Sequence, residues 1–265
     1  MPAPAEVPAS IITAAADLAE RLADAARPVI RRYFRTPLAI DDKSDDSPVT
    51  IADREAETVM RALIREAFPD HGIIGEEHGR ERADADFVWV LDPIDGTKAF
   101  ITGKPSFGTL VALAWRGRPV LGLIDQAITD ERWLGACGRP TTLNGQQVRV
   151  RPCGELADAY AYTTGPDYFD GATRPAWERI AGRVKSARYG ADCYAYALLA
   201  TGCVDLVVEA GLKPYDYAAL VPVIENAGGV VTDWTGAALD IWSDGRVCAA
   251  GDARLHAQAL AVLGQ

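Results

Sequence analysis

The sequence predicts a mixed fold, an α+β half followed by an α/β half, and three observations carry that reading. Two segments of helical periodicity open the chain, β-rich runs separated by turn residues fill the middle, and from about residue 155 strand-like and helix-like segments alternate. Alternation of that kind argues for an α/β half, residues 151–265, packed beside an α+β half, residues 1–150, within one unit.

Residues 10–34 place Ile, Leu, Ala and Val at helical spacing, with Ser10 as N-cap and an interruption or kink near Pro28. The stretch 41–50 (DDKSDDSPVT) is polar and reads as a loop, of the kind from which lids are drawn. Helical periodicity resumes over 51–68, with Glu and Arg on the outer face, and the Pro-Asp-His-Gly turn at 69–72 ends it. Ile73 and Ile74 begin a strand that runs into Gly75, Glu76 and Glu77, and 87–91 form another. The runs 107–115, 118–126 and 131–137 complete what reads as an antiparallel sheet. Beyond them the pattern predicts a strand at 159–164, a helix at 173–182 and a helix at 191–201 ending at Gly202. A strand at 204–209, a helix at 215–229 with a glycine cap, strands at 229–234 and 247–251 and a last helix follow.

At 265 residues, 49% hydrophobic and 24% charged, the composition is that of an ordinary globular protein. A formal charge of −10 disfavours nucleic acid and anionic membranes as partners. An anionic ligand then needs a local reversal of field, which bound divalent cations supply. Cysteines at 137, 153, 193, 203 and 248 form no C-x-x-C pair and read as reduced thiols. With no basic-then-apolar leader and no apolar run near the roughly 18 residues of a membrane span, the expected location is the cytoplasm.

Acidic residues recur where apolar segments end: Asp53 after VTIA, Glu76 after IIG, Asp92 and Asp95 in WVLDPID, and Asp216 after LKPY. Taken singly, each is a helix cap or turn former. Their repetition, and the two aspartates bracketing a rigid proline in DPIDGT, argue for Mg²⁺, which takes oxygen ligands from separate segments and keeps several waters. His71, His78 and His256 offer neither H-E-x-x-H spacing nor cysteine companions, so zinc is not indicated. Past Gly96, TKAF opens a helical turn whose N–H groups suit phosphate oxygens, and Gly190, just before the helix 191–201, is a second such candidate. Carboxylate-held cations facing N–H groups describe a site for a phosphate ester, one cation activating water and another stabilising the leaving oxygen.

In order and spacing, residues 43–53 (KSDDSPVTIAD), 75–78 (GEEH), 89–97 (WVLDPIDGT), 214–219 (PYDYAA) and 225–229 (ENAGG) resemble the signatures of the inositol monophosphatase-like family of Mg²⁺-dependent, lithium-sensitive phosphatases. The match runs essentially the whole chain. It implies a layered αβαβα sandwich and a homodimer. It also implies a first Mg²⁺ on Glu76, Asp92 and the Ile94 carbonyl, a second on Asp92, Asp95 and Asp216, and a weaker third on Asp53. Glu76 and Thr97 are implied to orient and deprotonate the attacking water, and the Gly96 and Thr97 N–H groups to hold the phosphate.

Within that family, 123–126 (LIDQ), 131–135 (ERWLG), 188–197 (RYGADCYAYA) and 207–216 (VVEAGLKPYD) resemble the histidinol-phosphate phosphatases more than the inositol enzymes. Tyr215 stands where many relatives have Trp and still supplies an aromatic wall; Asp192 stands where inositol-cleaving relatives have a small apolar residue. Histidinol phosphate carries an ammonium and an imidazole, so its pocket should offer carboxylates away from the cations, and Glu209 and Asp192 are the candidates. The expected reaction is hydrolysis of L-histidinol phosphate by metal-activated water. Rival readings are the same chemistry on inositol monophosphate, fructose bisphosphate or a nucleotide 3′-phosphate, or a non-catalytic metal-binding regulatory protein.

Overall fold

The computed structural model describes residues 7–37, 40–42 and 48–265. Helix α1 (Ala9–Tyr33) runs unbroken through Pro28. The lost backbone hydrogen bond is outweighed because Leu22, Ala23, Ala26, Val29 and Ile30 around it are buried. Ser10 lies inside the helix; the cap position is Pro8, whose fixed φ of −56° suits a helix start and which offers no side-chain bond. The stretch expected as one loop closes as a ribbon, β1 (Ile40–Asp42) antiparallel to β2 (Pro48–Thr50). Residues 43–47, and with them any lid, lie outside the described residues. Helix α2 (Ile51–Ala67) starts on a capping box between Thr50 and Asp53.

Eight strands form the larger sheet: β3 (Gly72–Gly75), β4 (Gly79–Glu81), β5 (Phe87–Asp95), β6 (Gly108–Trp115), β7 (Arg118–Gln126), β8 (Glu131–Ala136), β9 (Arg139–Leu143) and β10 (Gln146–Gln147). Their order is β10-β9-β8-β7-β6-β5-β3-β4. The wholly antiparallel expectation needs one correction, because β3 and β5 run parallel. Strand β4, a short charged Gly-Arg-Glu, takes the outer edge of β3, and the chain returns as β5 on the inner side. The short helix α3 (Thr97–Ile101) follows β5.

The smaller sheet has the order β12-β11-β13-β15-β14, built from β11 (Tyr160–Thr163), β12 (Ser186–Tyr189), β13 (Leu206–Glu209), β14 (Val230–Thr232) and β15 (Val247–Ala250). Helices α4 (Arg174–Ala181) and α5 (Cys193–Ala200) are the crossovers that make β11 parallel to β12 and β13. The single helix expected over 215–229 is two, α6 (Pro214–Tyr217) and α7 (Leu220–Glu225), followed after the last strands by α8 (Ala253–Leu263). Pro222 accounts for the break, since its ring excludes the helical carbonyl of Ala218 four residues earlier.

Strand alternation sorts the core into layers. On β5, Trp89 and Leu91 pack with α1 and α2, while Val88 and Val90 face a central cluster that includes Tyr196, Leu199 and Ile224. On β13, Val207 joins that central cluster, and Leu206 and Val208 pack on the far side with Trp177 of α4 and Leu255 of α8. The order is therefore α1/α2, larger sheet, α5 to α7, smaller sheet, α4/α8, the αβαβα sandwich that the resemblance implies. Gly122 lets the middle helices close on β7: a Cβ there would meet the Ala219 carbonyl oxygen at 1.9 Å. Among the described residues no helix is long and apolar enough to cross a membrane.

One buried charge ties α1 to the sheet. The Asp125 side chain, fully buried, accepts hydrogen bonds from Arg27 Nε at 2.8 Å, Arg27 Nη2 at 2.9 Å and Arg132 Nε at 2.7 Å. Asp125→Ala strands two half-buried guanidinium groups, and urea unfolding should show a loss of about 3–5 kcal/mol. A loss under about 1 kcal/mol would mean that Asp24 and Asp130 take over both arginines.

Candidate active site

All the predicted acidic residues except Asp53 converge on one cavity of about 240 Å³ between the two sheets, lined by Glu76, Asp92, Asp95, Asp192, Glu209 and Asp216 among others. Asp92 and Asp95 do not follow the strand, as expected, but lie within β5. Three residues apart, they would point to opposite faces of a regular strand. A bulge resolves this: Asp92 pairs with Leu110 and Asp95 with Gly108, so β5 carries one extra residue there. Both carboxylates thereby reach the same side. Asp216 arrives from α6, and one carboxylate oxygen each from Asp92, Asp95 and Asp216 lie within 4.8 Å of one another.

The backbone fixes one oxygen of each of these groups. Asp92 Oδ1 accepts the Ile94 N–H at 3.0 Å, Asp95 Oδ2 the Cys193 N–H at 2.7 Å, and Asp216 Oδ2 the Lys213 N–H at 2.6 Å. Asp53 is not in the cavity lining but is fully buried beside Glu76, at the third residue of α2. Its Oδ2 accepts the Thr50 N–H at 2.9 Å and hydroxyl at 2.6 Å, whereas its Oδ1 is buried with no partner. Glu76 stands at the end of β3, its N–H donating to the Leu91 carbonyl at 3.2 Å. The turn after it is held by buried Glu57, which accepts the N–H groups of Glu77 at 2.7 Å and His78 at 3.1 Å.

Electrostatics make this a site that needs positive charge. Burial, reinforced by the charge of Glu76, pushes the Asp53 carboxyl up to about 6. Burial, with the charges of Glu76 and Glu209 beside it, pushes Asp216 up to about 7. Asp92 and Asp95 stand well above the usual range through burial and their acidic neighbours. Two buried carboxyl groups, Asp53 with an orphaned oxygen and Asp92, and two half-buried ones, Asp95 and Asp216, each raised by burial and by acidic neighbours, fit hard divalent cations with oxygen ligands.

Directly after Asp95, Gly96 holds φ +86° as the N-cap of α3, whose first N–H groups have no carbonyl of their own helix to reach. A Cβ at Gly96 would lie 2.8 Å from Asp192 Cγ, so glycine admits the close contact. Thr97 donates its hydroxyl to the Ile94 carbonyl at 3.2 Å. Gly190 is a correction: it is not in the lining, and its N–H donates to the carbonyls of Thr163 and Thr164 at 3.3 and 2.9 Å, so it cannot receive a phosphate. The helix expected to face phosphate there starts two residues later, and its Cys193 N–H belongs to Asp95.

Asp192 and Glu209 both reach the cavity. Asp192 caps α5 at φ +50°, ψ −143°, a strained conformation for a residue with a side chain, and accepts the Ser106 hydroxyl at 3.2 Å. Burial raises its carboxyl, opposed by that bond and by the charges of Lys104 and Lys98. Glu209 is 5% exposed; burial raises it, and hydrogen bonds from Thr164 and Tyr196 pull it back. Glu57, Cys193, Thr164 and Tyr196 went unnoticed in the sequence. Cys193 and Tyr196, three residues apart beside the singled-out Asp192, carry the one signal that could have found them.

Layered αβαβα architecture with a carboxylate-lined cavity between two sheets defines a class of proteins with a site suited to hard divalent cations. The chain belongs to the inositol monophosphatase family, whose family pattern it matches over residues 12–265 and whose members use divalent metal ions, usually Mg²⁺. It is 53% identical over 267 residues to the bifunctional phosphatase IMPL2, chloroplastic, of Arabidopsis thaliana, covering 97% of this chain and 77% of that one. A histidinol-phosphatase of Chlorobaculum parvum is 34% identical over 234 residues, 88% of this chain and 90% of the relative. An inositol monophosphatase from Zymomonas mobilis superposes with a TM-score of 0.88 at 49% identity, over 94% of this chain and 97% of that one.

Proposed function

We propose that this phosphatase hydrolyses L-histidinol phosphate to L-histidinol and phosphate. The observation that carries the reading is Glu209, a buried acidic side chain that accepts three hydrogen bonds and lines the same cavity as Asp92, Asp95 and Asp216 without belonging to their close cluster of carboxylate oxygens. With Asp192 it gives the leaving-group side two acidic groups, which suit an ammonium and an imidazole. The histidinol-phosphatase among the relatives is in keeping with this.

In this reading Glu76, Asp92 and the Ile94 carbonyl would hold one divalent cation, Asp92, Asp95 and Asp216 a second, and Asp53, whose Oδ1 is orphaned, a weaker third. When bound, such ions neutralise the dianionic ester and lower the pKa of water. The Gly96 and Thr97 N–H groups hold phosphate oxygens at the start of α3. Glu76, with the Thr97 hydroxyl, orients the attacking water and takes its proton. As the water oxygen bonds to phosphorus, the P–O ester bond breaks and its oxygen departs on the side of Glu209 and Asp192, taking up a proton from solvent to give the alcohol, whose ammonium and imidazole those two side chains hold.

With Mg²⁺, kcat/KM for L-histidinol phosphate should exceed that for inositol 1-phosphate by about a hundredfold, roughly 2.7 kcal/mol in transition-state binding. Equal or reversed values in that comparison would leave a phosphatase of this family with another substrate.

A further inference from the structure

The first turn of α5 touches both functional ends of the cavity. Cys193 and Tyr196, three residues apart, share a helix face. The Cys193 N–H donates to Asp95 Oδ2 at 2.7 Å, and the Tyr196 hydroxyl donates to Glu209 Oε2 at 3.0 Å. One helical turn therefore sets the separation between a carboxylate of the cation cluster and the carboxylate proposed to meet the leaving group.

Glu209 is unusually constrained. Its Oε1 accepts both the N–H of Thr164, at 2.7 Å, and the Thr164 hydroxyl. An ionised carboxylate offers about four lone-pair sites. Two on Oε1 and one on Oε2 are filled, which leaves one on Oε2 for the cavity that Glu209 lines. Tyr196 is 1% exposed, and burial beside the Glu209 charge raises its phenol well above the usual value, so it remains a donor.

We propose that Tyr196, together with Thr164, is a positioning residue that leaves Glu209 a single acceptor lone pair, aimed at a cationic N–H donor of the leaving group. This rests on the reading that the substrate carries an ammonium. Charge-assisted hydrogen bonds are roughly twice as strong as neutral ones, so one fixed, charged acceptor favours an ammonium over a hydroxyl.

The test uses the full chain with Mg²⁺ and two variants, Tyr196→Phe and Thr164→Val, the second retaining the Thr164 N–H bond. Each should raise KM for L-histidinol phosphate about tenfold, equivalent to about 1.4 kcal/mol. The inhibition constant of L-histidinol should rise by the same factor, with kcat and the KM for inositol 1-phosphate within about twofold of wild type. Unchanged KM and inhibition constant in both variants overturn the proposal, as does an equal fall of kcat on both esters, which would make the cradle a support of the cation cluster. A wild type that shows no preference for the amino-alcohol ester fails the functional reading on its own, before any variant is made, and this inference falls with it.

Discussion

Asp92→Asn should lower kcat/KM for phosphate release on the order of a thousandfold, about 4 kcal/mol, and yet leave the cation-free protein more stable than wild type. Asparagine keeps the shape and the acceptor for the Ile94 N–H, so the bulge that aims Asp95 survives. What disappears is a charge, 1% exposed, facing Glu76, Asp95 and Asp216. Losing it removes a ligand common to both proposed cation positions, hence the activity loss. It also removes the cost of ionising that group among like charges, hence a rise of a few °C in melting temperature in EDTA at pH 8, where the raised carboxyls are driven to ionise. Activity within tenfold of wild type would sink the two-cation assignment; a lower melting temperature would show that the cluster is not under electrostatic stress.

The melting temperature of the cation-free protein should fall by about 5 °C between pH 6.5 and 8, and Mg²⁺ should reverse that trend. Asp216 is raised to about 7 and Asp53 to about 6, with Asp92 and Asp95 also raised. Above the ordinary carboxylate range the folded state thus binds more protons than the unfolded one. The stability these groups contribute is complete at low pH and is lost as pH rises through their folded values. His71 and His256, both lowered by burial, act in the opposite sense but only below about 6.5, where the unfolded imidazoles titrate. Bound cations need deprotonated ligands, so their stabilisation grows with pH. A melting temperature in EDTA that rises from pH 6.5 to 8 would show that these carboxyls are paired within the fold.

The α+β and α/β halves and the recurring acidic residues are legible in the sequence because both rest on local signals, whereas the αβαβα layering follows only from the family resemblance. Apolar runs ending in aspartate are visible in print, and the glycine and proline turns bound them. The bulge in β5 is not visible, since it depends on pairing with β6, and so the two aspartates read as turn residues. Asp53 and Asp216 show why a single acidic residue is ambiguous: each does cap its helix, with one oxygen, and only the three-dimensional surroundings of the other reveal a second task. Gly190 misled for the same reason, its N–H being taken by carbonyls of Thr163 and Thr164 on a neighbouring strand end. Tyr196 gives no signal of its own in the sequence because its partner Glu209 is 13 residues away.

The middle layer of helices has a bearing on how the protein comes apart. Helices α5 to α7 form one apolar cluster with the inner faces of both sheets, and the cavity draws Asp92 and Asp95 from one sheet and Asp216 from the segment leading out of the other. Separating the sheets would expose that whole cluster to water and dismantle the cavity in the same event. Separation of the sheets and loss of the site are therefore one event, so the packing of this middle layer underwrites catalytic competence as well as stability.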